Sequence, residues 1–200
     1  MEKQTLQKQV WNTSLLLAPI LLAAAQFFWD DGRVTTTAGV LQVLAFTVWI
    51  FSFQGLFQVI RKDLPTYSVI GFILAAYACI GGNNFGVDGI YTEAMGFTDL
   101  EAAAEFTGSI GSSTLAFLFI PGGLFPLSMM ILSVQLTRKK KIRLLTGVLF
   151  FIGALCFPLS RIPRIDMLAH IDNLILLIAH LLIYTDLKAG TENVGQLQTA

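Results

Sequence analysis

The sequence predicts an all-α polytopic membrane bundle with six transmembrane helices. Of its 200 residues, 54% are hydrophobic and only 13% are charged, which is about half of the charged share of a soluble domain. The mean hydropathy is +0.69. The apolar residues also form uninterrupted runs such as LLLAPILLAAA, whereas the strands of a membrane β-barrel would alternate over about ten residues. A helical bundle is the fold class that fits these three observations.

Six apolar stretches are long enough to cross a hydrocarbon core, which is about 30 Å thick and requires roughly 20 residues of helix. They use most of the chain, so we expect a single domain over residues 1–200. The first stretch resembles a signal peptide, but its apolar run continues beyond the small residues of a cleavage site, and we expect it to be retained. The predicted spans are Val10–Trp29, Gly39–Ile60, Leu64–Gly82, Thr114–Leu136, Leu144–Leu159 and Ile165–Tyr184.

The basic residues predict the orientation of the bundle. With both termini in the cytoplasm, ten of the 13 Lys and Arg residues lie inside, and Arg33, Arg161 and Arg164 lie outside. This matches the positive-inside rule and predicts a bacterial inner membrane. The basic run from Arg138 to Arg143 anchors this topology and could also hold anionic lipid headgroups. The inner basic residues are Lys3, Lys8, Arg61, Lys62, Arg138, Lys139, Lys140, Lys141, Arg143 and Lys188.

A long, acidic loop is expected outside, over residues 83–113. Thr98 and Glu101 have the spacing of a capping box, and Gly108 can end a helix, so we expect a short helix at about Asp99–Thr107 over the outer mouth. The acidity of this loop has two interpretations. Outer loops of membrane proteins avoid basic residues, which leaves a negative charge, or the carboxylates form a cation funnel or a Ca²⁺ site. The acidic residues are Asp88, Glu93, Asp99, Glu101 and Glu105.

The sixth span carries a stripe of five polar residues within about 80° of one helical face. Asp172 lies about 120° from the start of this stripe and is not part of it. Ionisable groups inside a bilayer usually face the bundle interior. The stripe is therefore a pathway for protons or a small polar solute, or a set of interhelical hydrogen bonds. Its residues are Asp166, His170, Asn173, His180 and Tyr184.

Other spans supply candidate partners for this stripe. Polar residues of the second span share one face toward the cytoplasmic half, and Gln26 lies on the first span. The fourth span contains Pro121, Gly122, Gly123 and Pro126, which we interpret as packing devices rather than as a binding site. The candidate partners are Thr47, Gln54, Gln58, Arg61 and Gln26.

The sequence lacks the common motifs of catalysis and nucleotide binding, including HExxH, GxSxG, GxGxxG and Walker A. His170 and His180 lie about 15 Å apart along one helix, so they cannot ligate the same haem iron. No cofactor is predicted, although a single metal ion on one of these histidines with nearby carboxylates stays open. The balanced net charge gives no case for nucleic acid as a partner.

Three segments resemble uncharacterised bacterial six-helix membrane proteins of the DRAM/Frag/Sfk-like type. They are LLLAPILL in the first span, GFILAAYACIGG in the third and FLFIPGGLFPL in the fourth. The resemblance covers most of the chain as a pattern of spans and implies the six-helix fold. It implies no established activity and no functional residues.

The leading functional hypothesis is a protein without enzymatic activity that moves or senses protons or a small polar solute along the stripe of the sixth span. A membrane-embedded, metal-dependent hydrolase or lipid-modifying enzyme is one alternative. An accessory or scaffold subunit of a membrane complex is another. Membrane lipid and either a second copy of the chain or another membrane protein are the expected partners. Residues 188–200 are expected to form a disordered or polar tail.

Overall fold

The computed structural model describes residues 5–97, 99–109 and 111–198. The described chain is all-α apart from one short hairpin between the first two helices. Each predicted span coincides with one long helix, and one shorter helix lies between the third and fourth long helices. The elements are α1 (Leu6–Gln26), β1 (Trp29–Asp30), β2 (Arg33–Val34), α2 (Thr36–Ile60), α3 (Pro65–Ala94), α4 (Leu100–Gly108), α5 (Ser112–Arg138), α6 (Leu144–Arg161) and α7 (Asp166–Gln198).

Five helices of the described chain are long and apolar enough to cross a membrane, and this agrees with an integral membrane protein. They are α2, α3, α6, the Ala116–Arg138 part of α5 and the Asp166–Ala189 part of α7. Helix α1 is not in this group. It has 21 residues, about 31 Å of helix, but its first half carries Lys8, Asn12 and several other polar residues. Six spans are therefore not established by length and composition.

The six long helices form a closed ring in sequence order. Each packs against the next, α3 packs directly against α5, and α7 returns to α1. The connections alternate between two ends of the ring. At one end, Lys141 Nζ lies 3.0 Å from Asp63 Oδ2. At the other, Arg164 Nη1 donates to the carbonyl oxygen of Gly32 at 3.1 Å. We call the end with Lys141 and Asp63 the inner end, and the end with Arg164 and Gly32 the outer end.

Aromatic side chains fill the centre of the ring. The ring of Phe125 on α5 makes edge contacts with Phe46, Trp49 and Phe53 on α2, at centroid distances of 4.8, 5.1 and 5.8 Å. All four side chains are buried. Edge-to-face pairs are stabilising beyond the area they bury. The opposite sides of the bundle therefore meet through a rigid aromatic core.

Helix α3 continues twelve residues beyond its predicted end, so the expected outer loop of residues 83–113 is wrong in its first third. The extension is helical because it is packed. A Cβ on Gly86 would lie 2.8 Å from the carbonyl oxygen of Gly39, and one on Gly89 would lie 2.7 Å from the Val34 side chain. Small residues allow such close approach between membrane helices. The polar pair Asn83 and Asn84 is typical of a loop in sequence, but neighbouring helices bind both side chains.

The proline and glycine segment of α5 serves packing, as expected. Pro121 cannot donate a hydrogen bond to the carbonyl four residues earlier, and Tyr77 Oη donates to that Phe117 oxygen at 3.4 Å. Asn84 Nδ2 donates to the Leu118 oxygen at 2.8 Å. The backbone of Gly81 lies directly against Pro121 and the next residue. Side chains of α3 thus bind the carbonyls of the irregular part of α5.

The outer end carries the hairpin and α4. Asp31 and Gly32 both have positive φ, 47° and 74°, as a two-residue turn of type I′ requires. Helix α4 begins one residue later than predicted. Its cap is Asp99, whose Oδ1 accepts from Ala102 N at 2.7 Å. Thr98, the predicted cap, lies outside the described residues.

Helix α4 lies at the outer end, between α3 and α5 in the chain. It packs against α5, and Thr107 Oγ1 donates to Asp88 Oδ1 of α3 at 2.8 Å. At the other end of the chain, α7 remains helical through Gln198. The tail from residue 188, expected to be disordered or polar, is polar in sequence, and its residues 188–198 continue the helix.

Gly81→Ala should destabilise the protein by about 1–3 kcal/mol, because a new Cβ would overlap the backbone of α5 at Pro121 and Gly122. Thermal unfolding of the purified protein in detergent measures this. Gly123→Ala is the matched control, since its Cβ would meet no atom within 4 Å among the described residues. Equal melting temperatures for the two variants would contradict the close packing of α3 against α5.

Candidate functional site

The candidate site lies where α1, α6 and α7 meet near the outer end. Helix α6 ends at Arg161, residues 162–165 make the turn, and α7 begins at Asp166. Because the two helices are antiparallel and closely connected, the last turn of α6 faces the first two turns of α7. Gln26, the last residue of α1, lies beside them. Three helix ends thereby bring polar side chains into one buried group.

Arg161 is the centre of this group. Its Nη1 donates to Gln26 Oε1 at 2.6 Å, and its Nη2 donates to Asn173 Oδ1 at 2.9 Å. The guanidinium carbon lies 5.2 Å from the ring centroid of Trp29 and 5.1 Å from that of Phe157. Both distances fit cation–π contacts. The side chain is only 15% exposed, so an arginine is held between three helices by polar and aromatic partners.

Asp172 is the counter-charge of Arg161, but the pair is incompletely bonded. The carboxylate is fully buried, and Arg161 Nη2 lies 3.8 Å from Asp172 Oδ1, which is too long for a hydrogen bond. Ser160 Oγ donates to the other carboxylate oxygen. Asp172 Oδ1 and the adjacent Asn173 Nδ2 have no hydrogen-bond partner among the described residues. One acceptor and one donor are thus left in a buried position, where unpaired polar atoms are costly.

This buried centre is connected to the outer surface. Gln26 Nε2 donates to Asp166 Oδ1 at 3.2 Å, and Asp166 is exposed. Asn173 lies seven positions after Asp166, which is about 10 Å along α7. Continuous polar contacts therefore lead from exposed Asp166 through Gln26 and Arg161 to Asn173.

A second group of incompletely bonded polar atoms lies near the middle of the bundle. His180 is fully buried between the rings of Trp49 and Phe150, at centroid distances of 4.6 and 5.0 Å. Its Nδ1 lies 2.7 Å from the Leu176 oxygen. His180 Nε2, Trp49 Nε1 and Ser52 Oγ have no hydrogen-bond partner in the described chain. His180 lies about 21 Å along α7 from its start, farther inward than the arginine.

The inner half of the core is mostly apolar, although Ser133 and Thr146 are also buried there. Below His180, the buried apolar side chains include Phe53, Leu56, Phe57 and Ile60 from α2, Leu132 and Leu136 from α5, and Ile183 from α7. They belong to one contiguous hydrophobic cluster, which also reaches the outer half at Leu22 and Phe46. The buried polar groups of α7 extend from the outer end to the middle of the bundle.

The structure separates the predicted stripe of α7 into different environments. Asp166 is exposed, and His170 is half-buried against the Phe27 ring at 4.7 Å. Asn173 and His180 are buried, and Tyr184 is half-buried against the core. The spacing of Asp166 and His170 allowed a hydrogen bond between them, but the carboxylate instead binds Gln26.

Asp172, predicted to lie outside the stripe of α7, is nevertheless buried. The prediction treated α7 as having one inward face, whereas α7 packs against α6 on one side and α1 on another. Asp172 faces Ser160 and Arg161 of α6, so a residue about 120° from the stripe is as buried as the stripe itself.

Of the five candidate partners, Gln26 hydrogen bonds to α7 at Asp166. Gln54 Oε1 accepts from Trp11 Nε1 of α1 at 3.1 Å. Thr47 donates to its own helix at Val43 and lies 3.5 Å from Asn83 Nδ2. Gln58 Oε1 and Arg61 Nη1 lie 3.5 Å apart on the exposed surface. The polar face of α2 thus serves contacts with α1 and α3 and local pairs.

The outer acidic residues do not converge. Asp88 binds Thr107, Asp99 caps α4, and Glu93 accepts from the backbone nitrogen of Thr36. Glu101 and Glu105 are exposed on α4. Among the described residues, no three His, Cys, Asp or Glu side chains are grouped as metal ligands. The acidic residues therefore act as separate caps and surface charges.

The sequence analysis missed Arg161, Ser160 and Asp172 as members of the site. Arg161 was counted only as an outer basic residue. The available signal was the short turn of residues 162–165, which places positions on either side of it opposite each other. An aspartate within the apolar run of the sixth span was the second signal, since such groups are costly in a membrane.

Comparison with protein-family models, with curated proteins and with solved structures gave no match. The resemblance to six-helix proteins of the DRAM/Frag/Sfk-like type therefore stays a prediction. What the site can do is inferred below from its own geometry.

Arg161→Met should destabilise the protein by about 3–5 kcal/mol, because Asp172 would remain buried without its counter-charge. The double variant Arg161→Met with Asp172→Leu should recover much of this loss, since it removes both charges. Unfolding in detergent measures both variants. Arg33→Met, at the more exposed pair with Asp30, is the control and should cost less. A double variant no more stable than Arg161→Met alone would contradict the coupling.

Proposed function

We propose that the protein is a bacterial inner-membrane protein that takes up protons or a small polar solute at Arg161, Asp172 and Asn173 and moves them across the membrane. The site replaces the single stripe that the sequence suggested. The observation that carries the proposal is the pair of free atoms next to the guanidinium, Asp172 Oδ1 and Asn173 Nδ2. A buried polar centre that is incompletely bonded is suited to a ligand that completes it.

The chemistry of the ligand follows from these two atoms. A carboxylate oxygen requires a donor, and an amide nitrogen requires an acceptor. Water carrying a proton, a hydroxyl compound or a small amide offers both in adjacent positions. The Arg161 guanidinium donates one N–H to Gln26 and one to Asn173, so it supplies positive charge and fixed geometry, and its other N–H groups are further donors. The ligand is therefore expected to be small and polar.

The connection to the surface supports entry from the outer end. Asp166 is exposed and bonded to Gln26, which in turn binds Arg161. Toward the inner end, the free nitrogen of His180 is the next buried polar group of α7. Beyond it, the apolar cluster of α2, α5 and α7 must separate before a ligand can leave on the inner side. In this proposal the conformation described is closed on the inner side, and the polar contacts from Asp166 mark the outer entry.

The alternative of a metal-dependent enzyme gains no support from the geometry, because the two histidines lie in separate environments and His180 is enclosed by aromatic rings. If the protein is instead a scaffold subunit of a membrane complex, the same polar groups serve only as fixed interhelical contacts. The flux experiment below distinguishes this scaffold role from movement of a ligand.

The proposal includes six spans, with both termini on the basic side of the membrane. Helix α1 lies within the ring and contacts both α2 and α7, which supports the proposal that it crosses with them. The inner end carries the basic residues of the turn after α5 and of the turn after α2. These residues favour a cytoplasmic location.

Asp172→Asn should reduce proton flux to the level of vesicles without protein, because the amide cannot accept and release the proton. The measurement uses purified protein in vesicles that contain a pH-sensitive dye, with an imposed pH gradient. Asp88→Asn is the matched control, since Asp88 binds Thr107 outside the α1–α6–α7 site, and it should keep the wild-type flux. The same vesicles loaded with small amides or polyols test the solute form of the proposal.

Wild-type flux in Asp172→Asn would reject a role for this carboxylate in movement. Wild-type protein with no flux of protons or of the tested solutes would favour the scaffold role. The folding of each variant is checked by its melting temperature in detergent, so that loss of flux is separated from loss of structure.

Single cysteines should report the six-span topology. In a background that lacks Cys79 and Cys156, Thr5→Cys and Lys62→Cys should react with a membrane-impermeant maleimide from the cytoplasmic side. Asp30→Cys should react from the opposite side, because α1 lies between Thr5 and Asp30. Labelling of Thr5→Cys and Asp30→Cys from the same side would show that α1 does not cross.

A further inference from the structure

A cleft of about 760 Å³ opens at the inner end, between the turn after α5 and residues 185–189 of α7. It lies at the opposite end of the bundle from Arg161. The N-terminus of α6 contributes to its wall. Its lining residues are Thr137, Lys140, Lys141, Ile142, Arg143, Leu144, Thr185, Asp186 and Ala189.

The acidic residue of this cleft is already bonded. Asp186 Oδ1 lies 2.6 Å from Arg143 Nε, and Asp186 Oδ2 accepts from Arg143 N at 2.9 Å and from Thr146 Oγ1 at 2.8 Å. These contacts fix the Arg143 backbone at the start of α6. They also leave Asp186 little capacity to attract another cation. Asp186 thus acts as a structural clamp.

A surplus of positive charge remains in the cleft. Lys141 is paired with Asp63 at 3.0 Å, and Arg143 is paired with Asp186. Lys140 is exposed and forms no ion pair with the described residues. Arg143 precedes α6 without a side-chain cap, so the first amides of this helix add positive partial charge to the same wall. An anion would complete the electrostatics of the cleft.

An apolar ridge leads from the cleft along the outside of α6. Leu144, which lines the cleft, is 72% exposed, and Leu145 is 66% exposed. Val148, Ile152 and Leu155 continue the exposed face at helical spacing. From Leu144 to Leu155 the ridge is about 17 Å long. This is close to the hydrocarbon depth of one leaflet, about 15 Å.

We propose that this cleft binds the headgroup of an anionic glycerophospholipid. The phosphate lies against Lys140 and the N-terminus of α6, and an acyl chain follows the α6 ridge into the membrane. The combination of a cationic cleft and an apolar ridge that starts at its edge favours a lipid over a free phosphate, because a free phosphate would use only the cleft. The site is independent of the proposed function at the outer end.

Lys140→Gln should weaken the binding of phosphatidylglycerol about fivefold, which corresponds to about 1 kcal/mol for one basic residue near a charged headgroup. Native mass spectrometry of the detergent-purified protein, titrated with phosphatidylglycerol or phosphatidylcholine, measures the bound fraction. Lys62→Gln is the matched control. It removes a lysine from the other inner turn, outside the cleft, and should leave the affinity unchanged. Phosphatidylcholine should bind more weakly than phosphatidylglycerol to the wild-type protein.

Two further measurements separate a lipid from a free anion. Leu145→Asn, on the exposed ridge, should weaken phosphatidylglycerol binding. Inorganic phosphate, titrated alone, should bind the wild-type protein far more weakly than the lipid does. Equal losses in Lys140→Gln and Lys62→Gln would show general charge attraction and overturn the proposal. Inorganic phosphate binding as tightly as the lipid, with no effect of Leu145→Asn, would overturn it in favour of a free-anion site.

Discussion

The buried guanidinium of Arg161 is the contact on which the closure of the bundle depends. It reaches Gln26 on α1 and Asn173 on α7 while belonging to α6. Taking an arginine out of water costs several kcal/mol, so the surrounding helices must supply carbonyl oxygens, a carboxylate and aromatic faces together. This requirement sets the relative rotation of three helices. The same requirement concentrates the polar chemistry of the molecule at their outer ends.

The outer and inner halves of the core differ in composition. The outer half contains Arg161, Asp172 and Asn173, whose fixed geometry leaves two atoms available for a ligand. The inner half contains closely packed aromatic and aliphatic side chains of α2 and α5. Aromatic contacts around Phe125 hold the helices at a constant distance, which gives the polar half a rigid support. Movement of a ligand would require the apolar half to repack while this support persists.

The sequence predicts the long helices well because hydrophobic runs have a length that the bilayer dictates. Helix α2 ends at Ile60 and helix α6 begins at Leu144, and both positions coincide with the prediction. It predicts the contacts between helices poorly. Asn83 and Asn84 are typical of a loop until their partners on α2 and α5 are known. Asp172 could be placed at an angle on α7, but its pairing with Arg161 depends on the register of two helices across a turn, which no single-helix pattern contains.

The ring arrangement of the helices has a consequence for how the chain assembles. Each helix can meet its predecessor as it emerges, so most contacts can form during synthesis, whereas the contact between α1 and α7 requires α7 to be in place. Gln26 can therefore bond to its partners on α6 and α7 only after the helices between them have been inserted. Arg161 likewise enters the membrane before Asp172, which follows it in the chain. The arrival of α7 therefore both closes the ring and places Asp172 beside the buried Arg161.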